Sequence, residues 1–370
     1  MKKFLLSICS LLILVNCSQN LDEKRLTDND LKELINDELW LEENLKFQET
    51  FSEGINVARY QIEQQEEIQQ NLFKFFETDE DTFSADDFWA IIDPIKEDAG
   101  VYAAYYQGKL ESFSLESQSQ SSFAQKQYKK MHELLFSLSE FLWENSRLTL
   151  NLIQQIEEDN YELYDYYNGK GLIAQGTFNS LLADFHRNSS AILNKDALRL
   201  IPLEFEITSL RLRSEFMRLN GMYLIGELTT SDVTDTFNSG KSLYLKTVNA
   251  KNTEAAKTQI TDFKSSLISF AEENPEIDEQ IDLIERFANS TLIYIDSINT
   301  VSETMLKGME FFYDNRNRLD EEITATEEFD FIANIQASAD EINAEVANNY
   351  NMLTREMTLK VTPVIAKIWK

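Results

Sequence analysis

The chain has 370 residues, with 34 Lys and Arg against 64 Asp and Glu for a formal net charge of -30, and 43% of its residues are hydrophobic. Its 10 Gly and 4 Pro, against average usages of about 7% and about 5%, are too few turn residues for a many-stranded sandwich or barrel. The acidity disfavours nucleic acid, whose affinity comes largely from Lys and Arg displacing counterions, and the 24 Phe exclude disorder throughout. Long helices around a sizeable core remain, as one large domain or two ordinary ones.

Lys2 and Lys3 precede Phe4 to Val15, a run of 12 residues without charge. That is too short for the roughly 20 residues that span a bilayer and has the form of a secretory signal peptide. Leu14-Val15-Asn16-Cys17 follows directly. These residues resemble the lipobox of bacterial lipoproteins, with Asn16 in place of the usual Gly, Ala or Ser. The resemblance implies cleavage ahead of Cys17 and a diacylglycerol on its thiol. Ser18 at the second mature position, rather than Asp, implies retention at the outer membrane, with the periplasmic and surface faces both open. Residues 1–16 are then the signal peptide, and residues 17–27 the lipidated Cys and its tether. Cys9 lies inside the apolar run, so the mature chain has no free thiol for a disulfide, a thiolate metal site or a nucleophile. The acidic body is expected to be repelled by anionic lipid and held by its acyl chains.

Beyond Thr27 to Asp30, Leu31, Leu34, Ile35, Leu39, Leu45, Ile55, Ile62, Leu72, Phe73 and Phe76 recur at helical spacing. Ser84 to Asp87 starts a second helix to about Gln107, in which Pro94 is expected to cause a kink or a split. Ser117 to Ser122 reads as a loop. The stripe from Leu135 to Tyr167 predicts one helix over about Phe123 to Tyr167, about 65 Å long. Gly169 to Gly176 is the weakest boundary, dividing residues 28–175 from 176–370 unless the halves share one core. Thr177 is expected to cap a helix to about Leu193, and Pro202 to open another that reaches Leu228. Two weaker segments, about 232–250 and 253–273, follow Ser231, with a turn expected at Ser239-Gly240. Pro275 fits the first position of a helix through Ile277 to Phe312, closed by Asn315 to Asp320. A last helix carries Phe331 to Met357. The expected fold is all-α: an elongated, mostly up-and-down bundle of about seven or eight long helices without a sheet.

One internal echo stands out. Tyr105-Tyr106-Gln107-Gly108-Lys109 matches Tyr166-Tyr167-Asn168-Gly169-Lys170 at an offset of 61 residues. The copies read either as aromatic pockets with Lys, suited to a sugar or flat ligand, or as repeated C-terminal caps with Gly in the left-handed position. Antiparallel packing would place them at opposite ends of the third helix. No metal site is expected, since the residues three positions before His132 and His186 are Lys129 and Ala183 rather than the Glu of a di-iron site. Asp79, Asp81, Asp86 and Asp87 lack the EF-hand spacing. Ser239-Gly240-Lys241-Ser242 lacks the first Gly of a phosphate loop. His186, with Asp184, Ser189 and Ser190 nearby, reads as a local polar cluster without the nucleophile elbow of a hydrolase. Leu359 to Lys370 opposes the general charge with Lys360, Lys367 and Lys370, and is expected to lay its apolar side on the bundle.

The region of about residues 45–357 also resembles an uncharacterised family of helical bacterial lipoproteins, through its succession of long helices and Tyr350-Asn351-Met352-Leu353. That resemblance implies no activity. The expectation is a lipid-anchored, non-catalytic binding or scaffold protein of the cell envelope without a cofactor. Its expected partners are the membrane, through acyl chains, and another envelope protein or a small ligand, not nucleic acid. The alternative is a glycan or small-ligand binder, or a hydrolase, with a cleft of carboxylates and aromatic rings.

Overall fold

The computed structural model describes residues 85–112, 120–158, 161–190 and 197–361, together with Leu39. The expected signal peptide, Cys17, most of the expected first helix and the end of the basic tail lie outside the described residues. Among them the fold is all-α, with nine helices and no strand. These are α1 (Ala85–Ser112), α2 (Ser122–Glu157), α3 (Tyr161–Ser190), α4 (Ala197–Leu224), α5 (Thr230–Thr247), α6 (Ala250–Glu272), α7 (Pro275–Asp278), α8 (Ile281–Asp314) and α9 (Glu327–Lys360). α7 is a single turn, and a 3-10 turn, Ile323–Ala325, precedes α9.

Several expected boundaries move, each for a local reason. Pro94 does not split α1. The proline leaves the Ala90 carbonyl without its helical donor, but Ala90 and Pro94 both face solvent, where water supplies one. The expected helix from Phe123 to Tyr167 is two helices, α2 and α3. The sequence at this junction, Glu157-Glu158-Asp159-Asn160, has three carboxylates in a row, which a helix carboxyl end repels and an amino end attracts. Gly169 to Gly176 is no boundary, because all of it lies inside α3. A Cβ on Gly169 would stand 2.7 Å from the Gly221 carbonyl oxygen, and one on Gly176 2.7 Å from that of Ser214. These glycines admit the α4 backbone rather than turn the chain. Thr177 is likewise internal, its hydroxyl donating to the Ile173 carbonyl at 3.0 Å. Pro202 sits inside α4 rather than opening it. That helix stops at Leu224 instead of Leu228, where Gly226 takes a φ of 72° and Glu227 N–H donates to the Met222 carbonyl, as a left-handed cap requires.

Thr229 caps α5 in a reciprocal box with Asp232, and Asn249 caps α6 by accepting from the N–H groups of Lys251 and Asn252. No turn forms at Ser239-Gly240, which is interior to α5. A Cβ on Gly240 would meet the Met309 sulfur at 2.8 Å, so that glycine also serves helix contact. Pro275 does begin a helix, but α7 ends at Asp278 and α8 restarts at Ile281.

The helices pack up and down. Ile92 and Ile95 of α1 meet Leu152 and Ile153 of α2, and Phe141 of α2 stacks on Phe178 of α3 at 4.5 Å, so the first three helices alternate in direction. α4 runs back along α3, and α8 lies beside α4 in the same direction, with Phe216 near Phe312. Phe237 stacks on Tyr313, while Lys257 pairs with Asp296. α5 and α6 therefore follow one another in a line antiparallel to α8. Ser297 donates to Asn343 and Asn349 to Ser290, which sets α9 antiparallel to α8 on its other side. The largest cores lie among α4 to α6, α8 and α9, and a smaller one joins α1, α2 and the start of α3.

Candidate functional site: a buried polar seam

α4 has α3 on one side and α5, α6 and α8 on the other, so it is enclosed over most of its length from Pro202 to Gly221. Its enclosed surface is not uniformly apolar. Glu206, Arg213 and Asn220 are buried, and their seven-residue spacing puts them on one face. Asn168, Gln175, Asn179 and His186 of α3 are buried too, at intervals of seven, four and seven, which is again one face. The two rows run antiparallel. His186 Nε2 stands 3.6 Å from Glu206 Oε1, and Asn179 Nδ2 donates to Met217 Sδ at 3.4 Å.

The most charged part of the seam gathers four helices. Glu206 is 6% exposed, Arg213 3%, His186 1% and Tyr294 of α8 1%. The Tyr294 hydroxyl donates to the Glu206 carboxylate, and its ring stacks on Tyr350 of α9 at 4.5 Å. Burial pushes Glu206 well above the ordinary carboxylate value, while the Tyr294 hydrogen bond and the Arg213 charge pull it back. Burial lowers Arg213 to about 10, opposed by its attraction to Tyr294 and Glu206. The guanidinium thus keeps its proton at neutral pH. Burial alone takes His186 well below its usual value, favouring the neutral imidazole. Burial, then the Glu206 charge, raises Tyr294. Such an arrangement fixes which helix faces meet, because a slipped register would strand charges in an apolar interior.

The residues singled out in the sequence lie elsewhere. Cys17, the candidate for lipidation, is outside the described residues. Tyr105, Tyr106 and Lys109 belong to α1, and Tyr166, Tyr167 and Lys170 to the first turns of α3. Neither copy is a C-terminal cap, which corrects that reading: both Gly108 and Gly169 are helical, and the positive-φ glycine among the described residues is Gly226. Tyr105 is 41% exposed and Tyr166 40%. Lys170 Nζ lies 5.4 Å over the Tyr166 ring, and Tyr167 meets that ring edge-on at 5.5 Å. Tyr167 packs against the cluster that holds Ile92 and Ile95, whereas Tyr105 is about 15–20 Å further along α1, so the copies do not share a site.

His186 is not a member of a local cluster with Asp184. It faces Glu206, while Asp184 accepts from Arg211 at 2.6 Å. Among the described residues no group of three or more His, Cys, Asp and Glu is placed to hold a metal ion. Glu206, Arg213 and Tyr294 were not anticipated, and Tyr350 was singled out only for the family resemblance. The available signal was Leu203-Glu204-Phe205-Glu206 through Leu212-Arg213, where apolar residues alternate with charges too densely for a helix with one solvated face.

The seam and its setting define an all-α bundle with Glu206, Arg213, His186 and Tyr294 buried between its helices. Compared with family models, curated proteins and solved structures, the chain matches none.

Proposed function

We propose that the protein is a non-catalytic binding or scaffold protein of the cell envelope, anchored by acyl chains on Cys17 and presenting long helix faces to its partners. The observation that carries this reading is Leu14-Val15-Asn16-Cys17 directly after the uncharged run Phe4 to Val15. Among the described residues no helix is long and apolar enough to cross a membrane; the anchoring role is assigned to the acyl group on the strength of the residues before Cys17. Ser18 directs the proposal to the outer membrane. The interior position of Glu206, Arg213 and His186 supports a structural use of these groups. The glycan-binding alternative is less favoured, because its two aromatic motifs are apart and Lys170 covers one face of Tyr166.

Fractionation of cells expressing the wild type and Cys17→Ala tests the anchor. The wild type is expected in the membrane fraction and the variant outside it. Equal membrane retention of Cys17→Ala would contradict acyl anchoring.

A further inference from the structure

Among the described residues α9 packs chiefly on α8, and beside its buried stripe runs a second apolar one. Phe331, Ile335, Ile342 and Val346 follow at intervals of four, seven and four residues, which places them on one flank. Phe331 is 65% exposed and Ile342 60%, while Ile335 and Val346 are half-buried. The bonds from Ser297 to Asn343 and from Asn349 to Ser290 set a register in which Ile293 of α8, 56% exposed, is level with Val346. The strip extends about 22 Å from Phe331 to Val346. Scattered exposed apolar residues are ordinary, but a line of them along one helix flank marks a contact surface. Exposed Glu327, Glu328 and Glu345 flank it on α9, and both basic residues of that helix, Arg355 and Lys360, come after the strip.

We propose that this strip on α8 and α9 binds a basic amphipathic helix of a partner protein, with the apolar side of that helix on Phe331 and Ile342 and its Lys and Arg against Glu327, Glu328 and Glu345. The inference rests on the scaffold reading and gives it a class of partner. Helix-in-groove recognition uses anchors at this kind of spacing, and opposite charge steers the encounter and selects the partner.

Other occupants meet opposing physics. A second copy brings another formal charge of -30, and anionic lipid is repelled by the same acids. Residues 31–76 are net acidic. Residues 362–370 do carry Lys367 and Lys370, but nine residues reach at most about 32 Å. Along the helix Ile342 lies about 28 Å from Val361 and Phe331 about 45 Å, so the tail cannot cover the whole strip.

The test is a fluorescence titration of the full-length protein with a labelled peptide of about 21 residues in Leu/Lys heptads, against a Leu/Glu control. It is run in zwitterionic nanodiscs with empty discs subtracted, or in buffer if the chain proves unacylated, which separates failure of the anchor from failure of the strip. The Leu/Lys peptide is expected to bind one-to-one, and the combined Phe331→Ser and Ile342→Ser variant to weaken it about tenfold or more. Both side chains are exposed, so circular dichroism should show an unchanged fold. Absence of binding, or equal binding by the variant, would overturn the proposal. So would binding of the Leu/Glu peptide as tight as that of the Leu/Lys peptide, a wild-type dimer dissociated by the same substitutions, or binding gained only on deleting residues 362–370.

Discussion

Arg213 and Glu206 sit where a charge is costly, at 3% and 6% exposure, and each moderates the other's cost. Replacing Arg213 by Met leaves Glu206 with the Tyr294 hydroxyl as its remaining stabiliser, and is expected to lower stability by about 3 kcal/mol. Adding Glu206→Leu should recover most of that loss, because an apolar pair avoids the burial of charge altogether. Urea unfolding of the two variants measures this, and a double variant no more stable than the single one would contradict it. His186 supplies a pH dependence with a definite sign. Its folded value lies well below 6.5, so below about pH 6.5 the unfolded chain binds the proton and stability falls as pH drops. Glu206, raised above 4.5, works the other way, losing stability as pH rises through its folded value. Comparison with His186→Gln isolates the histidine: the wild type should lose more stability than the variant between about pH 7 and about pH 5. Parallel curves would remove His186 from the account. At this scale little was legible in the sequence. The seven-residue interval from Glu206 to Arg213 shows a shared face, but only the helices around α4 turn that face inward.

Helix positions were more legible than helix ends. Apolar spacing located α2, α8 and α9, the cap signal at Ser84 to Asp87 and Pro202 pointed to α1 and α4, and Pro275 marked a helix start, whereas the caps at Thr229 and Asn249 were not read. Glycine misled the reading in one consistent way. At Gly169, Gly176 and Gly240 its missing side chain admits a neighbouring helix, and sequence alone does not distinguish that from a turn. Gly221→Ala tests this directly, since the added Cβ would stand 2.5 Å from the Gly169 carbonyl oxygen. The expected cost is about 2–3 kcal/mol, in the range of overpacked cores. Gly108→Ala, with nothing within 4 Å of its Cβ, should instead be neutral or stabilise by up to about 1 kcal/mol. Equal effects of the two substitutions in thermal unfolding would refute the packing role.

At the scale of the whole molecule, composition foretold the class of fold, because scarce Gly and Pro with abundant apolar spacing permit little besides long helices. It did not foretell the order in which they pack. The direction of α4 beside α8 depends on contacts such as Tyr294 with Glu206, nearly ninety positions apart. A formal charge of -30 also opposes the compact state by self-repulsion. The melting temperature is therefore expected to rise by a few degrees between low salt and ~0.15 M ionic strength, where the screening length is about 8 Å. A flat salt response would mean that the surface ion pairs already offset the repulsion.

The functional account turns on the thiol at position 17. Mass spectrometry of the amino-terminal fragment of the protein isolated from membranes reads it directly. The fragment is expected to begin at Cys17 and to carry acyl groups; an unmodified Cys17, or a mature chain that begins elsewhere, would contradict the account.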